Sequence, residues 1–217
     1  SQTSGLGQSA AFVQKVRSQD GCSASYAFAA IQSLEKHYYM VKKAQVDLSV
    51  QEIIDCSTMD NGCGGGSILN AINYVKTNGI GIASNYPYIA ARSSCRADRL
   101  KRVFFGSTIQ AKERDFSIAN VKTLVAADII PGVMIYATGK FSWVSSTDDV
   151  YDASLSGECN YDPDHFVSVT AAGTDNVTVL NSWGTAWGVS GYKKVKPCSA
   201  NALLGTAASL AYSLNTV

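Results

Sequence analysis

Gln19-Asp20-Gly21-Cys22-Ser23-Ala24-Ser25-Tyr26-Ala27-Phe28 stands at the head of the longest helical pattern in this 217-residue chain. From Ser25 to Lys43, side chains return at three- and four-residue steps through Phe28, Ile31, Leu34 or Glu35, Tyr38 and Val41, the period of a buried helix face. Ser25 therefore occupies a helix N-terminus, where aligned peptide dipoles leave a partial positive charge. Roughly 140 residues later comes Asp164-His165-Phe166, followed by Asn181-Ser182-Trp183-Gly184.

The opening stretch resembles the nucleophile segment of the papain-like cysteine proteases. Their signature is Cys-Gly-Ser/Ala-Cys-Trp/Tyr, with a histidine and an asparagine roughly 130–150 residues downstream. Cys22-Ser23-Ala24-Ser25-Tyr26 departs from it at two places, Ser23 for glycine and Ser25 for the catalytic cysteine. The likeness resumes at Leu48 to Cys56, Gly62-Cys63-Gly64-Gly65-Gly66, Tyr86-Pro87-Tyr88 and Gly191-Tyr192. Within the family, the run from Asn78-Gly79-Ile80 through Ser94-Cys95-Arg96 is most similar to the group 1 allergen proteases of mites. Leu6-Gly7-Gln8 departs where relatives carry Asp-Trp-Arg.

The resemblance implies an α+β, papain-like two-lobe fold in a single domain. A helical lobe over 12–105 would face an antiparallel β-barrel lobe over 106–217, with an active-site cleft between them. It places Ser25 at the nucleophile, His165 at the base, Asn181 at the orienter and Gln19 at the oxyanion donor. Trp183 would cover the Asn181–His165 contact, and Ser23, Gly65, Gly66 and Asp164 would line the substrate cleft. Of fifteen cysteine pairings that the sequence alone permits, the family pattern implies Cys22–Cys63 and Cys56–Cys95, leaving Cys159–Cys198. No free thiol would remain. Each loop of about 40 residues is worth at most roughly 4 kcal/mol in the chain-entropy account.

Serine at the nucleophile place changes the chemistry. A free thiol ionises near pH ~8.5 and papain's own cysteine near ~3–4, whereas an alcohol lies closer to water's ~15.7. Five units of that gap are roughly 7 kcal/mol, against a ceiling of about 2 kcal/mol for a helix terminus. A standing alkoxide–imidazolium pair is excluded. Ser23 adds a side chain where glycine admits substrate backbone, and Asp20 would set negative charge beside the oxyanion place. These changes point to an inactive paralogue that binds peptide or protein partners, protease inhibitors or host proteins among them, or acts as a decoy. The rival is a weak serine-dependent hydrolase or silicatein-like catalyst using Ser25, His165 and Asn181. Silicateins resemble the same family and share the Ala-Ser-Tyr-Ala-Phe wording, but their serine-rich stretch before the histidine is replaced here by Gly157 to Pro163.

Composition narrows the setting. Apolar residues make up 46% and the formal net charge is +1, so no global field favours nucleic acid or a membrane surface. No apolar run approaches the ~20 residues of a membrane span. Six cysteines suit an oxidising compartment, and the resemblance implies a secreted monomer whose signal and inhibitory pro-segment were removed upstream. No cofactor or metal is called for. Arg96, Arg99, Lys101 and Arg102 read as a solvated loop, His37 as an exposed helix residue, and Asn176-Val177-Thr178 as a glycosylation sequon on a hairpin turn. Ser49-Val50-Gln51-Glu52 reads as a capping box opening a short helix to Cys56, and a further helix runs from Ile68 to the stop at Asn78-Gly79. After residue 106 come one helix over about 117–127 and β-favouring runs at 133–136, 166–169 and 177–180.

Overall fold

The computed structural model describes residues 11–97 and 101–206. The Leu6-Gly7-Gln8 departure and Arg99 lie outside the described residues. Helix α1 (Ser25–Lys42) is buried over most of its surface, because it packs on helix α3 (Ile68–Asn78) on one side and strand β5 (His165–Ala172) on the other. It ends where Lys43 turns left-handed at φ 54° and its N–H bonds to Tyr39. Helix α3 stops at Gly79, whose positive φ suits a residue without Cβ. Between them lies α2 (Val50–Cys56).

The capping box is only half formed. Ser49 Oγ accepts from the Glu52 amide at 3.0 Å, but the Ser49 N–H goes to Gly81 O, so Glu52 has nothing to receive there. Its fully buried carboxylate instead accepts from Tyr74 Oη at 2.9 Å, from the Gly81 amide at 2.8 Å and from Arg102. Arg102 is thus not a solvated loop residue but the counter-ion of a buried carboxylate. It lies on β2 (Arg102–Val103), which pairs antiparallel with β1 (Ile80–Gly81).

The second half contains α4 (Ile118–Ala126), β3 (Gly132–Ile135), β4 (Val150–Asp152), the short α5 (Ala153–Ser156), β5, β6 (Val177–Leu180) and β7 (Tyr192–Lys196). One five-stranded sheet has the order β3-β5-β6-β7-β4. The expected antiparallel barrel is, among the described residues, an open sheet. Its edge strands β3 and β4 do not pair with each other, and β4 runs parallel to β7. Immediately after β3 the chain turns out of the sheet: Tyr136 N bonds to Leu204 O and Ala137 N to Asp164 Oδ1. It therefore reaches the far edge only through a 3-10 turn at Lys140–Trp143.

Two apolar cores flank this arrangement. One gathers residues from Cys22 to Ile109 around α1, the other residues from Phe116 to Leu204 around the sheet. Along β5 the alternation of a strand sends Val167 and Val169 into the second core and packs Phe166 against the first. That one strand therefore ties the cores together and carries His165 at its first position.

Three disulfides, Cys22–Cys63, Cys56–Cys95 and Cys159–Cys198, join Cα atoms 4.7, 4.9 and 5.7 Å apart, matching the implied pairing. Thiol titration of the denatured, unreduced protein should return no free thiol. A single one per chain would contradict this pairing. His37 is not exposed: it is buried against Phe105, with Nε2 3.3 Å from Thr108 Oγ1. Asn176 lies at the β5–β6 turn, its Nδ2 donating to Asp175 Oδ1 at 2.9 Å.

Candidate active site

A cavity of about 370 Å³ opens between the two cores and is walled by Gln19, Ser23, Ser25, Gly65, Gly66, Asp164, His165 and Trp183, all expected from the sequence. Asn181 sits fully buried behind His165. The lining also includes Tyr26, Gly64 and Phe166, which stand inside the quoted motifs without having been singled out, and Met134, Ala137 and Thr138 from the end of β3 and the turn after it.

His165 Nε2 lies 2.7 Å from Asn181 Oδ1. A carboxamide oxygen only accepts, so Nε2 carries the hydrogen and, in the neutral ring, Nδ1 carries the free lone pair. Asn181 Oδ1 is itself held by the Ser182 amide at 2.8 Å. The Trp183 ring lies 4.6 Å from the imidazole and meets Trp187 edge-on at 5.7 Å, keeping water from the His165–Asn181 bond. Burial pushes the His165 pKa down to about 4, opposed by the Asn181 hydrogen bond and the nearby Asp164 carboxylate. At neutral pH the ring is uncharged.

Ser25, the first residue of α1, is buried and has no side-chain cap preceding it. Its Oγ accepts from the Phe166 amide at 3.1 Å. The hydrogen bond it makes thus runs to the residue after the base, not to the base. Gln19 is fixed from both ends of its side chain: Nε2 donates to Cys22 O at 3.0 Å and Oε1 accepts from Ser182 Oγ at 2.6 Å. Its carbonyl accepts from Tyr88 Oη and its amide donates to Ser182 O. One Nε2 hydrogen of the carboxamide remains for the cleft. Ser182 is a residue that motif reading passed over, although it lies inside Asn-Ser-Trp-Gly.

Asp20 requires a correction. It is exposed, adopts a left-handed φ of 49°, and its carboxylate accepts from Ser18 Oγ at 2.6 Å. It does not line the cavity, and its side chain is turned toward Ser18. Ser23 does line it and is exposed there. Gly66 leaves no room for a side chain, since a Cβ would meet Asp60 Oδ1 at 2.5 Å and the Tyr26 ring at 2.7 Å. Among the described residues no cluster of three or more His, Cys, Asp or Glu could hold a metal ion, and no helix is long and apolar enough to cross a membrane.

An imidazole with a free nitrogen, a carboxamide behind it, a hydroxyl at a helix head and an amide donor opposite are the parts of an acyl-transfer site. Residues 5–212 match the profile described as Papain family cysteine protease. The chain belongs to that family. It is 35% identical over 193 residues to cysteine endopeptidase Rep1 of Oryza sativa subsp. japonica, covering 85% of this chain and 50% of that protein. It is 33% identical over 198 residues to digestive cysteine proteinase 3 of Homarus americanus, covering 85% and 58%. The bromelain protease from Ananas comosus, solved in complex with the E64 inhibitor, superposes with a TM-score of 0.81 at 26% identity, covering 94% of each chain. The chain spans about half the length of the curated relatives it matches.

The depressed pKa of His165 has a measurable consequence. Between pH ~6.5 and about 4 the unfolded chain binds a proton that the folded ring refuses. Stability is therefore fully present above pH ~6.5 and declines as pH falls, by about 3 kcal/mol. NMR titration of the two histidine rings, assigned through His37→Gln, should find His165 neutral at pH 6. A midpoint at or above 6.5 would contradict the burial argument.

Proposed function

We propose that the chain is a papain-fold pseudoprotease that holds peptide or protein segments in its cleft without cutting them. In this role it captures substrates or protease inhibitors, host proteins among them, as a binder or decoy. The observation that carries the reading is Ser25 itself: an alcohol stands where the family's chemistry needs a thiolate, and its oxygen is engaged by the Phe166 amide. The open cavity with Gly65 and Gly66 on its wall supports retained binding. Three disulfides support a secreted protein.

Family-type protein inhibitors that insert into the cleft without reacting with the nucleophile test this reading. They should bind in the micromolar range, weakened by Ser23, while the protein leaves a broad peptide library uncut. No binding at high micromolar concentration would place partners elsewhere on the surface.

A second reading, a serine-dependent or silicatein-like hydrolase, draws support from the neutral state of His165. An uncharged imidazole is what a serine needs for general-base transfer at the moment of attack. Against it stands the hydrogen bond of the Ser25 oxygen, which comes from the Phe166 amide and not from His165.

A further inference from the structure

The cleft is electrically one-sided. Of the residues that wall it, Asp164 is the one with a formal charge at neutral pH, because the buried His165 ring is uncharged there. Every other wall residue is an amide, a hydroxyl, a glycine or apolar.

Asp164 is placed to act on a ligand. It immediately precedes His165, and its side chain is exposed. Its carboxylate is oriented by two donors on the opposite wall of the turn after β3, the Ala137 amide at 2.8 Å to Oδ1 and Thr138 Oγ1 at 2.7 Å to Oδ2. An ionised carboxylate offers about four acceptor sites, so these two bonds orient the group without exhausting it. Its own elements bring no cation to it: the ion pairs of the described residues join Lys15, Arg17, Lys36, Arg102, Lys193, Lys194 and Lys196 to other carboxylates.

We propose that the partner segment held by this cleft is cationic, with a lysine or arginine side chain lying beside His165 and pairing with the Asp164 carboxylate. The proposal rests on the reading of the cleft as a peptide-binding groove and names the chemistry of its occupant. An ammonium or guanidinium laid along the wall would satisfy the remaining acceptor sites of Asp164 with charge-assisted hydrogen bonds. An acidic side chain at the same place meets like charge with no cation on the wall to offset it. The preference belongs to one ligand position, since the charge on the wall is single.

The test is equilibrium capture of a pooled random octapeptide library on the immobilised protein at low ionic strength, read by mass spectrometry. Peptides carrying Lys or Arg at one position should be enriched about fivefold over those with Gln there, the upper end for a partly exposed ion pair, with Glu depleted. The enrichment should shrink in 0.5 M salt, as screening requires. Asp164→Asn keeps an oxygen to accept from the Ala137 amide and an amide hydrogen to give to Thr138 Oγ1, whose hydroxyl can turn to accept it, but should lose the preference, while Asp164→Glu should keep part of it. Matched thermal midpoints for the variants show that the fold is intact. Capture with no charge preference, or a preference that survives Asp164→Asn, overturns the proposal and leaves the groove reading standing. Capture of no peptide at all overturns both.

Discussion

Replacing Ser25 with cysteine is expected to create a fast-reacting thiol in a protein that otherwise has none. All six cysteines are paired, so wild type supplies a background of zero. The new thiol would sit at the N-terminus of an 18-residue helix and beside a histidine held by Asn181. Both lower a thiol's pKa from its free value of ~8.5. Iodoacetamide alkylation followed against pH should show an inflection below 7. The thiolate in turn should raise the His165 pKa, because the two groups titrate as a pair. Peptide turnover should return only in part. Gln19 keeps a donor and Asp20 is turned to Ser18, but Ser23 still crowds the backbone approach. Adding Ser23→Gly should raise turnover about tenfold, worth roughly 1.4 kcal/mol of barrier. A thiol that titrates near 8.5 would mean that the site around residue 25 has lost its geometry as well as its nucleophile.

Arg17→Ala should cause a large loss of stability. Arg17 reaches Glu35 on α1 through both terminal nitrogens and Asp47 through one of them at 2.7 Å. Glu35 is only 3% exposed, and its Oε1 also accepts from the Leu48 amide at 2.9 Å. Removing the guanidinium leaves a buried carboxylate uncompensated, which typically costs about 3–5 kcal/mol. For a chain of this size the midpoint should fall by about 10 °C. Burial already raises the Glu35 pKa against the pull of Arg17, and without Arg17 it rises further. The folded variant then takes up a proton that the unfolded chain releases above pH ~4.3. Its deficit is therefore largest at neutral pH and shrinks toward pH 4. Glu35→Gln in the same background should restore part of the loss. A midpoint within a degree or two of wild type would show that water reaches Glu35.

The helices were legible because their signals are local. The step pattern from Phe28 to Val41, the serine caps at Ser49, and Gly79 after α3 all act within a few residues. The candidate site was legible through three short motifs, although the bonds that fix it join residues far apart in sequence, such as Gln19 with Ser182 and Ser25 with Phe166. What escaped sequence reading was tertiary. Ser49 looked like a reciprocal cap until Gly81 took its amide, which freed Glu52 to require Arg102. His37 has an ordinary helical position, and only the packing of Phe105 and Thr108 buries it. Asp20 adjoins Gln19 in sequence, yet its left-handed backbone turns its side chain to Ser18. The parallel β4–β7 pairing depends on the path of the chain after Ile135, for which no periodicity gives a sign.

The claim that Ser25 performs no hydrolysis is met most directly by a serine-directed fluorophosphonate probe on the folded protein, with mass spectrometry of the peptide containing residue 25. The expected result is no adduct at Ser25 under conditions that label an active serine hydrolase completely, with an unchanged spectrum for His165→Ala. A stoichiometric adduct at Ser25 that disappears in His165→Ala would show a working serine–histidine pair and would contradict the pseudoprotease reading.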